Sequence, residues 1–104
     1  MTKPPDPVRL DLNDPEFQRQ LFDLAREGQL QVLRTLERLS RMTWTDVYRD
    51  HGLKWEAILS RRGPAGGRLY SLRISRSARA VALREGNWLR LLTLHLEHDS
   101  TYGG

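Results

Sequence analysis

The sequence predicts an α+β protein: an N-terminal strand, a helical hairpin and a short third helix, packed on a mostly antiparallel curved sheet. Three observations carry that prediction. Apolar residues recur at helical spacing from about position 15 to 50, they alternate with polar ones after position 55, and glycine or aspartate marks each change of period. Helices that precede a run of hairpins pack on one face of the sheet those hairpins form. The 104 residues suit a single domain covering 1–104, with 1–7 as a flexible N-terminus and 100–104 as a polar tail.

Each element has its own warrant. Val8, Leu10 and Leu12 alternate with Arg9 and Asp11, the period-2 pattern of a short edge strand with one buried face. Asn13-Asp14-Pro15-Glu16 starts a helix, with Asp14 as N-cap, proline at the first helical position and an acid in the first turn. Phe17, Leu21, Leu24 and Ala25 share one face of that helix, which is expected to end at Glu27-Gly28. Leu30, Leu33, Leu36 and Leu39, with Val32, form the apolar stripe of a second helix. Thr43-Trp44-Thr45-Asp46 reads as a capping box opening a short third helix, closed by a left-handed turn at Gly52-Leu53.

After Lys54 the period shortens to two. Trp55 to Leu59 is the expected first strand of the C-terminal sheet, and Arg61 to Gly67 a glycine-rich loop. Tyr70, Leu72 and Ile74 then alternate with Ser71, Arg73 and Ser75, and Val81 and Leu83 mark the next strand. Gly86-Asn87 suits a two-residue hairpin turn, and Trp88 to Leu96 is a long apolar strand for the sheet's centre. Trp44, Trp55 and Trp88 are expected in the core.

Charge is segregated along the chain. Residues 1–52 hold eight Lys/Arg against nine Asp/Glu, whereas 53–104 hold nine against four. Between Arg61 and Arg90 the contrast sharpens to eight arginines facing only Glu85. Arginine's planar fork matches phosphate bidentately, so a sheet rich in it suits a polyanion, RNA above all. Arg61, Arg62, Arg68 and Arg76, with Lys54, are the expected phosphate contacts. The bland alternative is a solvated basic face.

Several chemistries are excluded. The chain has no cysteine, which removes disulfides and thiolate zinc sites and agrees with a reducing compartment. No apolar run approaches the roughly 20 residues that cross a bilayer, and Met1 to Pro7 lacks a signal peptide's apolar stretch, so a cytoplasmic location without a membrane partner is expected. Gly63-Pro64-Ala65-Gly66-Gly67 lacks the Gly-Lys-Ser/Thr ending of a phosphate loop, and His51, His95 and His98 do not fall at zinc-ligand spacing. There is no Gly-x-Ser-x-Gly elbow. Neither a metal nor a cofactor is expected.

What remains is the set of strand arginines followed by His98-Asp99-Ser100-Thr101-Tyr102. Metal-free RNA scission needs a base for the 2′-hydroxyl, cations for the pentacoordinate phosphorus and an acid for the leaving 5′-oxygen. Histidine, arginine and tyrosine can fill those roles, so Arg73, Arg79, His98 and Tyr102 are the candidate catalytic residues. Lys54 and Glu56 offer a further cation or an alternative base. Arg73 shares a face with Ser71 and Ser75, while Arg79 has the parity of Val81 and Leu83 and therefore sits at the rim or is buried with a partner. His95, inside the apolar strand, reads as structural.

Tyr70-Ser71-Leu72-Arg73-Ile74-Ser75, then Ala78-Arg79-Ala80-Val81, then a hairpin and a long strand ending in His98-Asp99-x-x-Tyr102, resembles the RelE/ParE superfamily of toxins from bacterial toxin–antitoxin systems. The likeness is greatest to its ribosome-dependent mRNA interferases. It implies a first strand, a helical hairpin and a curved antiparallel sheet. It also implies that Arg73 and Arg79 contact the scissile phosphate region, that His98 serves as acid or base, and that Tyr102 matches a tyrosine near the C-terminus. The implied partners are mRNA on the ribosome and a cognate antitoxin protein. Glu97 and Asp99 beside His98, the scarcity of lysine and the third helix depart from the family pattern. ParE-type relatives poison DNA gyrase, so the alternative is a non-catalytic binding protein, either a gyrase inhibitor or a basic RNA-binding module.

Overall fold

The computed structural model describes residues 6–97. The chain forms β1 (Arg9–Asp11), a helical hairpin of α1 (Pro15–Asp23) and α2 (Arg26–Ser40), α3 (Trp44–Arg49), and then β2 (Glu56–Arg62), β3 (Arg68–Ser75), β4 (Ala78–Glu85) and β5 (Trp88–Leu96). Hairpins make β2 to β5 antiparallel, whereas β1 returns beside β5 in parallel, giving the order β1-β5-β4-β3-β2. The expected edge strand and the mostly antiparallel sheet are both present. The long apolar β5 is interior, although β4 holds the middle place.

Asp14 caps α1 by accepting from the amides of Glu16 and Phe17 at 2.9 and 3.3 Å. That helix ends earlier than the sequence predicts, because Leu24 and Ala25 turn extended and Gln29 donates its side-chain amide to the carbonyls of Leu21 and Phe22. Orphan carbonyls are satisfied there by a side chain instead of a glycine turn. Gly28 therefore belongs to the first turn of α2. Along α2 the buried stripe is Val32, Leu36 and Leu39, while Leu30 and Leu33, expected inside, are about half exposed because the sheet covers only one side of the helix.

The capping box of α3 is complete: Thr43 Oγ1 accepts from the Asp46 amide at 3.1 Å, and Asp46 Oδ2 accepts from the Thr43 amide at 2.9 Å. Its exit differs from expectation. Asp50 Oδ1 accepts from the Leu53 amide, and the left-handed residue is Lys54 at φ 48°, not Gly52.

The core has two layers. Between helices and sheet lie Phe17, Leu36, Leu39, Trp44, Leu72, Leu89, Leu91 and Leu94, with Ala78, Ala80 and Ala82 from β4. On the opposite face a smaller cluster joins Leu69, Val81, Leu83 and Leu92, with Ile58 against it. A fully buried leucine contributes about 1.5–3 kcal/mol, several times an exposed ion pair such as Arg19–Glu16 at about 0.2–1 kcal/mol. Packing therefore sets the orientation of the hairpin. Trp44 is in the core and Trp55 stacks on Tyr70 at 4.6 Å, but Trp88 is 47% exposed under the Arg9 guanidinium. It has the parity of Arg90, away from the helices.

Strand β2 continues through Arg61 and Arg62, so the loop begins only at Gly63, with a 3-10 turn at Pro64–Gly66. The loop folds back on the smaller cluster so closely that a Cβ on Gly63 would lie 2.6 Å from Leu69 Cδ2. Gly63→Ala should lower unfolding free energy by about 1–3 kcal/mol, read from the urea midpoint. An unchanged midpoint would show that the loop does not rest on Leu69.

The Asp46 carboxyl is held below its ordinary value of 3.8, first by the backbone amide of Thr43 and then by its hydroxyl. A depressed carboxylate contributes stability that is complete above the unfolded value and lost as pH falls through the folded one. The urea midpoint should accordingly fall as pH drops below about 4. Asp46→Asn should lose less over that interval than the unsubstituted protein; an identical acid profile would remove the cap from the account.

Candidate nucleic-acid interface

On the sheet face away from the helices, strand register builds rows of side chains. Arg73 of β3 stands opposite Arg79 of β4, and Arg79 stands opposite His95 of β5. Strands lie about 4.8 Å apart, so the three groups form one row roughly 10 Å long. The neighbouring row is Glu56, Ser71, Val81 and Thr93. Two guanidiniums directly opposite one another repel, so the pair needs an anion. Glu97 partly supplies it, its Oε1 lying 3.2 Å from Arg79 Nε as an ion pair without the alignment of a hydrogen bond. Arg73 Nε and Arg79 Nε are both buried without a hydrogen-bond acceptor among the described residues. An unmet buried donor costs about 1–3 kcal/mol, which a phosphate oxygen reaching it would offset.

The presence of His95 in this row corrects the sequence reading, and the cause is a β-bulge. Leu89 and Leu91 face the helices, and unbroken alternation would bury Thr93 and His95 beside them. The β4–β5 register instead shifts between Val81 and Ala82: Ala82 pairs with Leu91 and Val81 with Thr93, leaving Leu92 as the extra residue. Beyond it Leu94 returns to the helix side, where its amide is met by Gln20 Oε1 at 2.6 Å, and His95 turns outward. His95 Nε2 lies 2.8 Å from Thr93 Oγ1. The sequence did carry a signal, since Leu89, Leu91 and Leu94 share one face only if the strand slips by one.

The other candidates are dispersed. Arg61 and Arg62 are exposed at the end of β2 and line a cavity on the same face, with Gly63, Pro64, Leu69, Val81, Leu92 and Thr93. Arg76 is exposed in the β3–β4 turn, Lys54 is exposed ahead of β2, and Arg68 points away from Leu69 by strand alternation. None of these five makes an ion pair among the described residues. Two further arginines serve the fold. Arg84 lies 4.2 Å from the Trp44 ring centroid and donates to Tyr48 Oη and the Gly86 carbonyl, while Arg90 lies between Asp11 and Glu85. His98 and Tyr102 fall outside the described residues.

This element order and sheet are also found among solved structures. Among solved structures, the chain is similar to the YoeB dimer from Staphylococcus aureus at a TM-score of 0.52 and 15% identity, covering 88% of this chain and 98% of that one. It is also similar to a copper-bound mutant toxin from Helicobacter pylori, at a TM-score of 0.49 and 19% identity, covering 86% and 93%. No family model and no curated protein matches the sequence.

If the paired arginines are the anion site, Glu97→Gln should tighten binding of a single-stranded oligoribonucleotide several-fold by freeing Arg79. Arg73→Ala should weaken it and reduce the slope of log K against log salt by about 0.7. Fluorescence anisotropy across a salt series measures both, and an unchanged slope would place the phosphate contact elsewhere.

Proposed function

We propose that the chain is the toxin of a toxin–antitoxin system, a metal-independent mRNA endoribonuclease that acts on the ribosome and is restrained by a cognate antitoxin. The single observation carrying this reading is the Arg73–Arg79–His95 row, in which the Nε of each arginine lacks a hydrogen-bond acceptor among the described residues, beside an exposed imidazole. The RelE/ParE fold supports it.

In the proposed reaction the 2′-oxygen attacks the adjacent phosphorus as its proton passes to a base. Arg73 and Arg79 stabilise the extra negative charge on the pentacoordinate phosphorus, and the P–O5′ bond breaks as an acid protonates the leaving oxygen. The products are a 2′,3′-cyclic phosphate and a 5′-hydroxyl. His95 stands within the row, Glu56 offers a carboxylate base one row away, and His98 and Tyr102 are proposed to complete the acid–base set from the segment that follows. Arg61, Arg62, Arg68, Arg76 and Lys54 are the proposed further contacts with the RNA.

One observation favours the second reading, a non-catalytic binding protein that inhibits gyrase or holds RNA. Glu97 already neutralises Arg79, and Thr93 already occupies His95 Nε2. Cleavage separates the two readings. Induction from a tight promoter should arrest growth and produce new mRNA 5′ ends by primer extension; Arg73→Ala and Arg79→Ala should abolish both without lowering the melting temperature. Removing the imidazole by His95→Ala or His98→Ala should slow cleavage about 10²–10⁴-fold for whichever acts as acid or base. Intact transcripts with inhibited gyrase supercoiling would move the assignment to the second reading.

A further inference from the structure

The cavity beside the arginine row has a construction that the row alone does not explain. Its volume is about 240 Å³. Leu69, Val81 and Leu92 contribute apolar side chains, Gly63 and Pro64 bring the loop against it, and Arg61 and Arg62 add their guanidiniums. Thr93 joins it to the row, because it lines the cavity and its hydroxyl is also the partner of His95 Nε2. Val81 is two residues from Arg79 on the same face, a separation of about 7 Å along the strand.

These features select the occupant. An apolar floor rejects a phosphate, whose desolvation there would go uncompensated. A flat aromatic ring with polar edges satisfies both parts: it covers the leucines and valine while its edges meet Arg61, Arg62 and the Thr93 hydroxyl. Bases of single-stranded RNA are available in this way because they can unstack and lie against arginine planes. The short step from Arg79 to Val81 matches the reach from a phosphate to the base of its own nucleotide.

We propose that this cavity is a base-binding subsite, taking one unstacked nucleobase of the single-stranded RNA whose phosphate lies on the Arg73–Arg79–His95 row. The proposal rests on the RNA reading of that row and deepens it by naming where sequence preference arises. The row holds the backbone, which is alike in every nucleotide, and the cavity reads the base. The close approach of Gly63 to Leu69 keeps the loop against the cavity, so its shape is set before RNA arrives.

The test uses the full chain and a six-nucleotide RNA with 2′-O-methyl groups, which cannot be cleaved by 2′-oxygen attack. A single abasic residue is placed at each position in turn, and affinity is read by fluorescence anisotropy. One abasic position should weaken binding about tenfold or more, and the others by much less. Val81→Phe, which fills the cavity, should reduce that penalty to under about twofold. Arg61→Ala combined with Arg62→Ala should do the same without altering the core, which keeps the test decisive if Val81→Phe fails to fold.

Equal penalties at every position would overturn the subsite and leave the cavity to a partner protein's side chain. So would a full penalty retained in both variants. Unmodified mRNA bound to ribosomes tests the nuclease reading separately: a position-specific abasic effect without cleavage there keeps the subsite and sinks the nuclease, and cleavage without that effect does the reverse.

Discussion

Burial of the β5 leucines beneath the helical hairpin is the constraint on which the rest of the molecule depends. Leu89, Leu91 and Leu94 must all reach the same layer, and a strand of period two can bury all three only by slipping one residue. The slip occurs at Leu92, which joins the smaller cluster on the opposite face. Gln20 of α1 meets the Leu94 amide just past it, so the hairpin is docked where the strand is irregular. The outward turn of His95 follows from that packing. A hydrophobic requirement on one face thus sets the chemistry on the other.

The two faces of the sheet are unequal by composition. On β4, Ala78, Ala80 and Ala82 let the helices approach closely, while Arg79, Val81 and Leu83 face the other way. The second face is neither a second full core nor a solvated surface. It carries a small apolar cluster at one end and a cationic row at the other, with Thr93 between them. A nucleotide has the same polarity, an anion joined to a flat ring, and this match links the proposed activity to the proposed base subsite.

The arginines that suggested a polyanion site divide into different roles. Arg84 and Arg90 are held by aromatic rings, carbonyls and carboxylates, and they brace α3 and the β1–β5 edge. Arg73 and Arg79 lie in one row because the β3–β4 register shifts between Arg73 and Ser75; the Ser75–Ala78 pairing at the Arg76-Ser77 turn would by itself set Arg79 opposite Ile74. Composition counts both kinds alike. Only register and the positions of rings, carbonyls and the acids Glu85 and Asp11 distinguish Arg84 and Arg90 from Arg73, which makes no ion pair among the described residues.

The order of elements, the Asp14 and Thr43 caps and the Gly86-Asn87 hairpin were legible in the sequence because each rests on contacts within a few residues. The pairing of Arg73 with Arg79 was only partly so, since one tight turn separates them but a register shift between Arg73 and Ser75 sets which residues face each other. The end of α1, the exposure of Leu30 and Leu33, the left-handed turn at Lys54 and the exposure of Trp88 were not, because each depends on a partner distant in the chain or on which side another layer covers. His95 shows the distinction most clearly. Local alternation places it inside, and only the competition between two hydrophobic layers, resolved by one extra residue in β5, turns it toward the arginines. The sequence by itself determined which segments become strands and helices, through short-range periodicity and capping; tertiary structure decided which face each side chain joins, because burial is a property of the assembled layers.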